Sequence, residues 1–162
     1  MKKILLFLLI LLPIYLLMSL CFLDKHYFLC PIEYKRDIVI RSDMHGDGFF
    51  AANRHGRRVH RGIDLFAAIG TPVLASRSGK VIAAKENQGM GKYIVIKHPD
   101  SIITIYGHLS EIYVGKNKFV RQGEVIGSVG KTGNAAFRGI QPHLHFEVRK
   151  NGIPQDPLEY LE

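Results

Sequence analysis

From Gly70 to Gly133 the chain returns to glycine every few residues, and between those glycines lie short runs rich in β-branched and aromatic residues, such as 80–83, 93–96 and 102–106. Turn signals at that spacing describe strands. Beyond residue 23 no stretch sustains an apolar period of 3.6, so helices should be few and short. The fold class this implies is all-β, a compact and mostly antiparallel sheet. Gly70-Thr71-Pro72-Val73 and the stretch from Arg121 to Gly127 read as two copies of one turn-into-strand device, the kind of half-motif that interlocks in a barrel-sandwich. A first strand is expected near Ile38-Val39-Ile40. With 162 residues, 47% of them hydrophobic, the chain can build one ordinary core and carry an appended segment.

That segment is the N-terminus. Met1-Lys2-Lys3 precedes an almost unbroken apolar run over residues 4–23. At about 1.5 Å per residue the run is just long enough for a hydrocarbon layer of roughly 30 Å, and it exceeds the usual apolar region of a signal peptide. The basic start keeps the N-terminus in the cytoplasm and sends the rest of the chain across the membrane. The expected organisation is therefore a signal peptide or membrane anchor at 1–23, a juxtamembrane linker at 24–40 and a domain at 41–162. No small-x-small cleavage site is evident, which favours an uncleaved anchor. Cys21 faintly fits a lipoprotein processing site, though Leu20 is a poor residue before it. Neither Cys21 nor Cys30 has metal-binding spacing.

The formal charge of +8 suits a polyanionic neighbour, whether membrane surface, anionic wall polymer or nucleic acid. The basic residues are scattered and not interleaved with aromatics, so nucleic acid fits least.

Chemistry concentrates in 141–148, Gln-Pro-His-Leu-His-Phe-Glu-Val. Read with period two, His143, His145 and Glu147 share one strand face, and Leu144, Phe146 and Val148 share the other. The two imidazoles start about 6–7 Å apart, close enough to converge on one metal or on a metal and its water. Alone, a His-x-His would be an ordinary edge strand; here two more segments supply partners. His60 and Asp64 are four residues apart, about 13 Å on a straight strand, and Gly62 between them would let the backbone turn and bring them together. With one histidine of the pair they give two nitrogens and one oxygen around a divalent cation, leaving a position open for water. Which of His143 and His145 completes that set is not readable from the residues. His108, after a strand and Gly107, is a candidate acid/base group. Asp43-Met44-His45-Gly46-Asp47 could tempt a metal assignment but reads as glycine-rich turn chemistry, so alanine at Asp43 or His45 should leave a metal in place.

His60-x-x-x-Asp64, Tyr106-Gly107-His108-Leu109 and His143-Leu144-His145-Phe146-Glu147-Val148, together with Gly70-Thr71-Pro72-Val73 and Gly130-Lys131-Thr132-Gly133, resemble the lysostaphin-type, or LytM-domain, zinc endopeptidases that cut peptidoglycan cross-bridges. The resemblance covers roughly residues 41–158. It implies one Zn2+ per domain on His60, Asp64 and His145, with His108 and His143 flanking the water as catalytic groups. It implies peptide substrates of the wall, rich in glycine or D-alanine, and an extracytoplasmic location. Some members carry a tyrosine shortly before the first ligand; here Asn53-Arg54-His55 stands there, leaving Arg54, or His108 with His143, for the developing negative charge. The competing reading is a non-catalytic wall-binding or hydrolase-activating module. The presence of all five residues argues against it. A carrier domain would need a lysine at a hairpin tip, and no convincing one is found.

Overall fold

The structure, a computed structural model, describes residues 11–13, 27–54 and 58–161. The apolar run at 4–23, and with it Cys21, lies outside the described residues except for 11–13. Among the described residues no helix is long and apolar enough to cross a membrane.

Among the described residues thirteen strands succeed one another along the chain. They are β1 Ser42–Asp43, β2 Gly46–Asp47, β3 Asn53–Arg54, β4 Arg58–Val59, β5 Ile63–Phe66, β6 Pro72–Leu74 and β7 Gly79–Asn87. After them come β8 Gly91–Lys97, β9 Ile102–Ile112, β10 Phe119–Val120, β11 Val125–Val129, β12 His143–Lys150 and β13 Ile153–Gln155. The helical content among the described residues beyond 13 is two short 3₁₀ turns, Gly133–Ala136 and Pro157–Glu159. The fold is mostly antiparallel β, as the glycine spacing requires. Nine strands form one sheet in which β10, β7, β8, β9, β11 and β6 are successive neighbours, while β12 joins β5, β9 and β13. The two turn-into-strand copies meet directly, since β6 pairs with β11 antiparallel. Of the strand expected at Ile38-Val39-Ile40, only Ile40 makes a bridge, to Leu65, and the strand proper starts at Ser42.

β9 is the strand on which the site is hung. Its first part pairs with β12, from Ile102↔Lys150 to Gly107↔His145, and its last part pairs with β11. The change of partner falls at His108, whose φ of 62° is left-handed, and the β8–β9 register shifts in the same place. In a regular strand His108 would follow Tyr106 onto the core face. The irregularity turns it to the face of Gly107 instead, and Leu109 resumes the core. The core itself is the apolar face of the sheet, including Ile63, Leu65, Ile94, Ile96, Tyr106, Leu144, Phe146 and Val148. Full burial of such side chains stabilises the fold by about 1.5–3 kcal/mol each.

The segment expected to be a linker packs on this body from Tyr27 onward. The Phe28 and Leu29 amides donate to the carbonyls of Tyr160 and Ser76, the Leu74 amide donates to the Pro31 carbonyl, and Phe28 and Ile32 are buried in the main core. Phe28 meets Tyr160 and His98 edge-on, at 5.5 and 5.8 Å between ring centroids. Charged and aromatic residues mixed in this stretch hid two anchors in a linker-like composition. Phe28→Ala should lower stability by about 3–5 kcal/mol in denaturant titration; an unchanged midpoint would mean that the segment adds nothing to the fold.

Candidate metal and hydrolytic site

β12 lies between β5 and β9, and the register sets His145 directly opposite Asp64 on one side and Gly107 on the other. Residues directly opposite on antiparallel strands point to the same face with their Cβ atoms about 5 Å apart, so Asp64 and His145 meet by register alone. His60 stands just before β5, held by its amide to the Ala52 carbonyl and by its carbonyl to the Ala51 amide. Gly62 does not act by backbone freedom, since its φ is not left-handed. A Cβ there would collide with the Phe146 carbonyl oxygen, so glycine is needed for β5 to approach β12.

Three donor atoms converge. His60 Nε2 and His145 Nδ1 lie 3.1 and 2.8 Å from Asp64 Oδ1 and 3.0 Å from each other. Hydrogen-bond partners assign the tautomers. His60 Nδ1 lies 2.8 Å from the Phe49 carbonyl and His145 Nε2 3.0 Å from Glu147 Oε1, so both outer nitrogens donate. The inner nitrogens then keep lone pairs that face each other and a carboxylate oxygen, all buried. Three acceptors with no hydrogen among them need a cation. In the protein alone that cation is a proton: burial would lower the pKa of His145, but hydrogen bonds to Asp64 and Glu147 outweigh it and push the pKa up to about 9. Burial would likewise raise Asp64, yet hydrogen bonds from His145 and His60 hold it well below the usual carboxylate range. A divalent ion held by His60, Asp64 and His145 would take the place of that proton, and two imidazole nitrogens with one carboxylate oxygen are a donor set that zinc accepts.

Each donor is held from behind. Glu147, which also accepts from Arg149 Nε at 2.7 Å, fixes the His145 ring. The sequence puts Glu147 on the right face but assigns it no task; carboxylates behind metal-binding histidines orient them in this way. Asp64 Oδ2 accepts from Arg41 Nη2 at 3.0 Å and Nε at 3.3 Å. Arg41 escaped the sequence reading altogether. Its chemistry depends on a contact across 23 positions that no local pattern announces.

His143 and His108 stand beside this triad. Their rings are 5.0 Å apart edge-on, and His108 is 5.8 Å from His145. His143 Nδ1 donates to the Gln141 carbonyl at 2.7 Å, and His108 Nδ1 to the Thr132 carbonyl at 2.9 Å. Thr132 is itself tied to β8 and β9, its Oγ1 accepting from the Lys92 amide and donating to the Leu109 carbonyl. That gives Gly130-Lys131-Thr132-Gly133 a task, the seating of His108. Both histidines thus keep an unprotonated Nε2; that of His143 lies 3.8 Å from Asp64 Oδ1, beyond hydrogen-bond distance. Burial pushes His108 down to about 3, helped by charge on His143 and His145, and burial also lowers His143. Two neutral imidazoles at neutral pH can each take a proton. The side chain of Arg54, the other candidate for the developing negative charge, lies outside the described residues, as does His55.

Asp43 and His45 belong to a two-residue hairpin, β1 paired with β2, as the turn reading expects. The Asp43 side chain, however, is buried at 7% exposure and pairs with Arg41 Nη1 at 2.7 Å.

Residues 58–157 match the family model described as Peptidase family M23. The chain is 43% identical over 104 residues to the "DD-carboxypeptidase/endopeptidase Mpg" of Neisseria meningitidis serogroup B, covering 64% of this chain and 23% of that protein. A zinc-containing peptidase from Vibrio cholerae superposes with a TM-score of 0.67 at 34% identity, over 83% of this chain and 40% of that one. The catalytic domain of lysostaphin from Staphylococcus simulans gives 0.59 at 34% identity, over 74% and 90%. The matched segment is about a quarter of the length of Mpg.

Proposed function

The chain belongs to peptidase family M23, and from that membership we propose that it is a zinc-dependent endopeptidase that hydrolyses the peptide cross-bridges of bacterial peptidoglycan through a metal-activated water. The observation that carries the proposal is the buried triad of lone pairs on His60, Asp64 and His145, flanked by two neutral imidazoles. Bound there, zinc supplies a Lewis acid that lowers the pKa of water from 15.7 to about 7 and polarises a carbonyl.

The remaining steps belong to the chain's own residues. His143 takes the proton of the water at Nε2, while its Nδ1–H stays on the Gln141 carbonyl and Asp64 faces the charge that develops. From His143 Nε2 that proton passes to the leaving amine, and His108, pinned to Thr132, presents its own unprotonated Nε2 from the other side as a hydrogen-bond acceptor for the same water. Proton transfer by such positioned groups contributes about 10²- to 10⁴-fold. Substrates rich in glycine or D-alanine offer little side chain, so recognition rests on a narrow groove and backbone hydrogen bonds.

We place the domain outside the cytoplasmic membrane, tethered through residues 4–23; a freely soluble mature form starting near residue 24 would remove the tether, and an acylated Cys21 would make it a lipoprotein. The activity is tested by digesting peptidoglycans of different cross-link types with the purified protein and identifying the fragments by mass. Cross-linked fragments should disappear, a chelator should stop the reaction and zinc should restore it. Zinc bound without hydrolysis of any cross-link type would leave the non-catalytic wall module as the reading.

A further inference from the structure

Asp43 has more partners than a turn needs. Its Oδ1 accepts from the His45 amide at 2.8 Å, the usual bond of an Asx turn. Its Oδ2 does something else, pairing with Arg41 Nη1 at 2.7 Å and accepting from the Gln141 amide at 3.0 Å, 98 positions away. From Arg41 the chain of contacts runs to Asp64 Oδ2. From Gln141 it runs through that residue's own carbonyl to His143 Nδ1. A single carboxylate oxygen therefore joins the back of a ligand carboxylate to the back of an acid/base imidazole, by a route that does not pass through the metal. A second tie presses the same surfaces together, for His45 Nε2 lies 3.1 Å from the Arg138 carbonyl, and Gly139 at φ 89° leaves no room for a Cβ beside that ring.

We propose that Asp43 is a positioning residue of the hydrolytic site, which through Arg41 and the Gln141 backbone fixes the Asp64 carboxylate and the His143 imidazole relative to each other. The inference rests on the zinc-peptidase reading. Charge explains why a carboxylate is needed. Arg41 is 3% exposed and lies between Asp43 and Asp64. Without Asp43 the buried guanidinium would be balanced by Asp64 alone, at the expense of the negative charge that Asp64 offers a cation. Without the acceptor for its amide, the backbone at Gln141 is released on one side of its Cα, and with it the fixed aim of the carbonyl on the other side that holds the His143 tautomer.

The two effects separate in two variants. Asp43→Ala loses both, and Asp43→Asn keeps an acceptor for the Gln141 amide while losing the charge. With a cross-linked muropeptide dimer as substrate and zinc saturating, Asp43→Ala should lower kcat about 10- to 100-fold with KM little changed. In the metal-free protein its His143 should pass from one tautomer to a mixture in long-range ¹H–¹⁵N spectra. Asp43→Asn should restore the single tautomer and most of kcat, while binding zinc about tenfold more weakly than wild type. A wild-type kcat and His143 signature in Asp43→Ala overturns the inference, and so does zinc loss with the His143 signature intact. Should Asp43→Ala fail to fold, Asp43→Asn with undiminished zinc affinity is the overturning result. A wild type that neither binds zinc nor cuts would instead remove the peptidase reading, and the metal-free spectra would still decide whether Asp43 holds His143.

Discussion

Replacing His60, Asp64 or His145 by alanine should each take bound zinc from one ion per chain toward none and bring hydrolysis down by about 10³-fold or more, since the metal is asked for several kcal/mol of the barrier. The three should differ in what happens to the fold. His145→Ala leaves Asp64 still paired with Arg41, and His60→Ala leaves the β5–β12 register untouched. Asp64→Ala removes the carboxylate that faces His60, His145 and Arg41 at once, leaving a buried guanidinium with Asp43 alone. Breaking a buried pair by removing one partner costs about 3–5 kcal/mol, so Asp64→Ala should melt lowest of the three. Metal analysis beside thermal melting checks both statements. A full equivalent of zinc in any of the three removes that residue from the ligand set.

These residues are legible in the sequence to different degrees, for physical reasons. Alternation made β12 legible, because a strand with one apolar face must place His143, His145 and Glu147 together, and Leu144, Phe146 and Val148 are in the core. Spacing brought His60 and Asp64 forward as a pair, yet the reason for Gly62 was misread: a clash with the Phe146 carbonyl is a contact across 84 positions, invisible to any local rule. Arg41, and the reach of Asp43 beyond its turn, are hidden on the same account. Their partners, Asp64 and Gln141, come close only once β5 has paired with β12 and the hairpin β1–β2 has folded back on the loop before it. His108 was legible as a type and not as a geometry, for period two sends it to the core and only the change of partner strand within β9 returns it to the site. The docking of Phe28 is hidden by composition, since the buried Phe28, Pro31 and Ile32 among charged neighbours do not look like a core.

His143→Ala and His108→Ala should fail in the opposite way to the ligand variants, keeping zinc and fold while turnover falls about 10²- to 10⁴-fold. The argument starts from which nitrogens are free. His145 Nδ1 stands within 3.0 Å of both His60 Nε2 and Asp64 Oδ1, whereas His143 Nε2 stops 3.8 Å short of that oxygen. Each flanking ring is anchored on a backbone carbonyl, Gln141 for His143 and Thr132 for His108, so alanine removes no support from the triad. Both rings are neutral at neutral pH, so what alanine removes is a proton acceptor. The loss should therefore appear in kcat and not in KM, and it should persist at saturating zinc. Zinc stoichiometry measured beside steady-state rates for His143→Ala and His145→Ala gives the decisive comparison. Were His143→Ala to lose the metal while His145→Ala kept it, the two roles would have to be exchanged; were both to keep it, the ligand set would lie elsewhere.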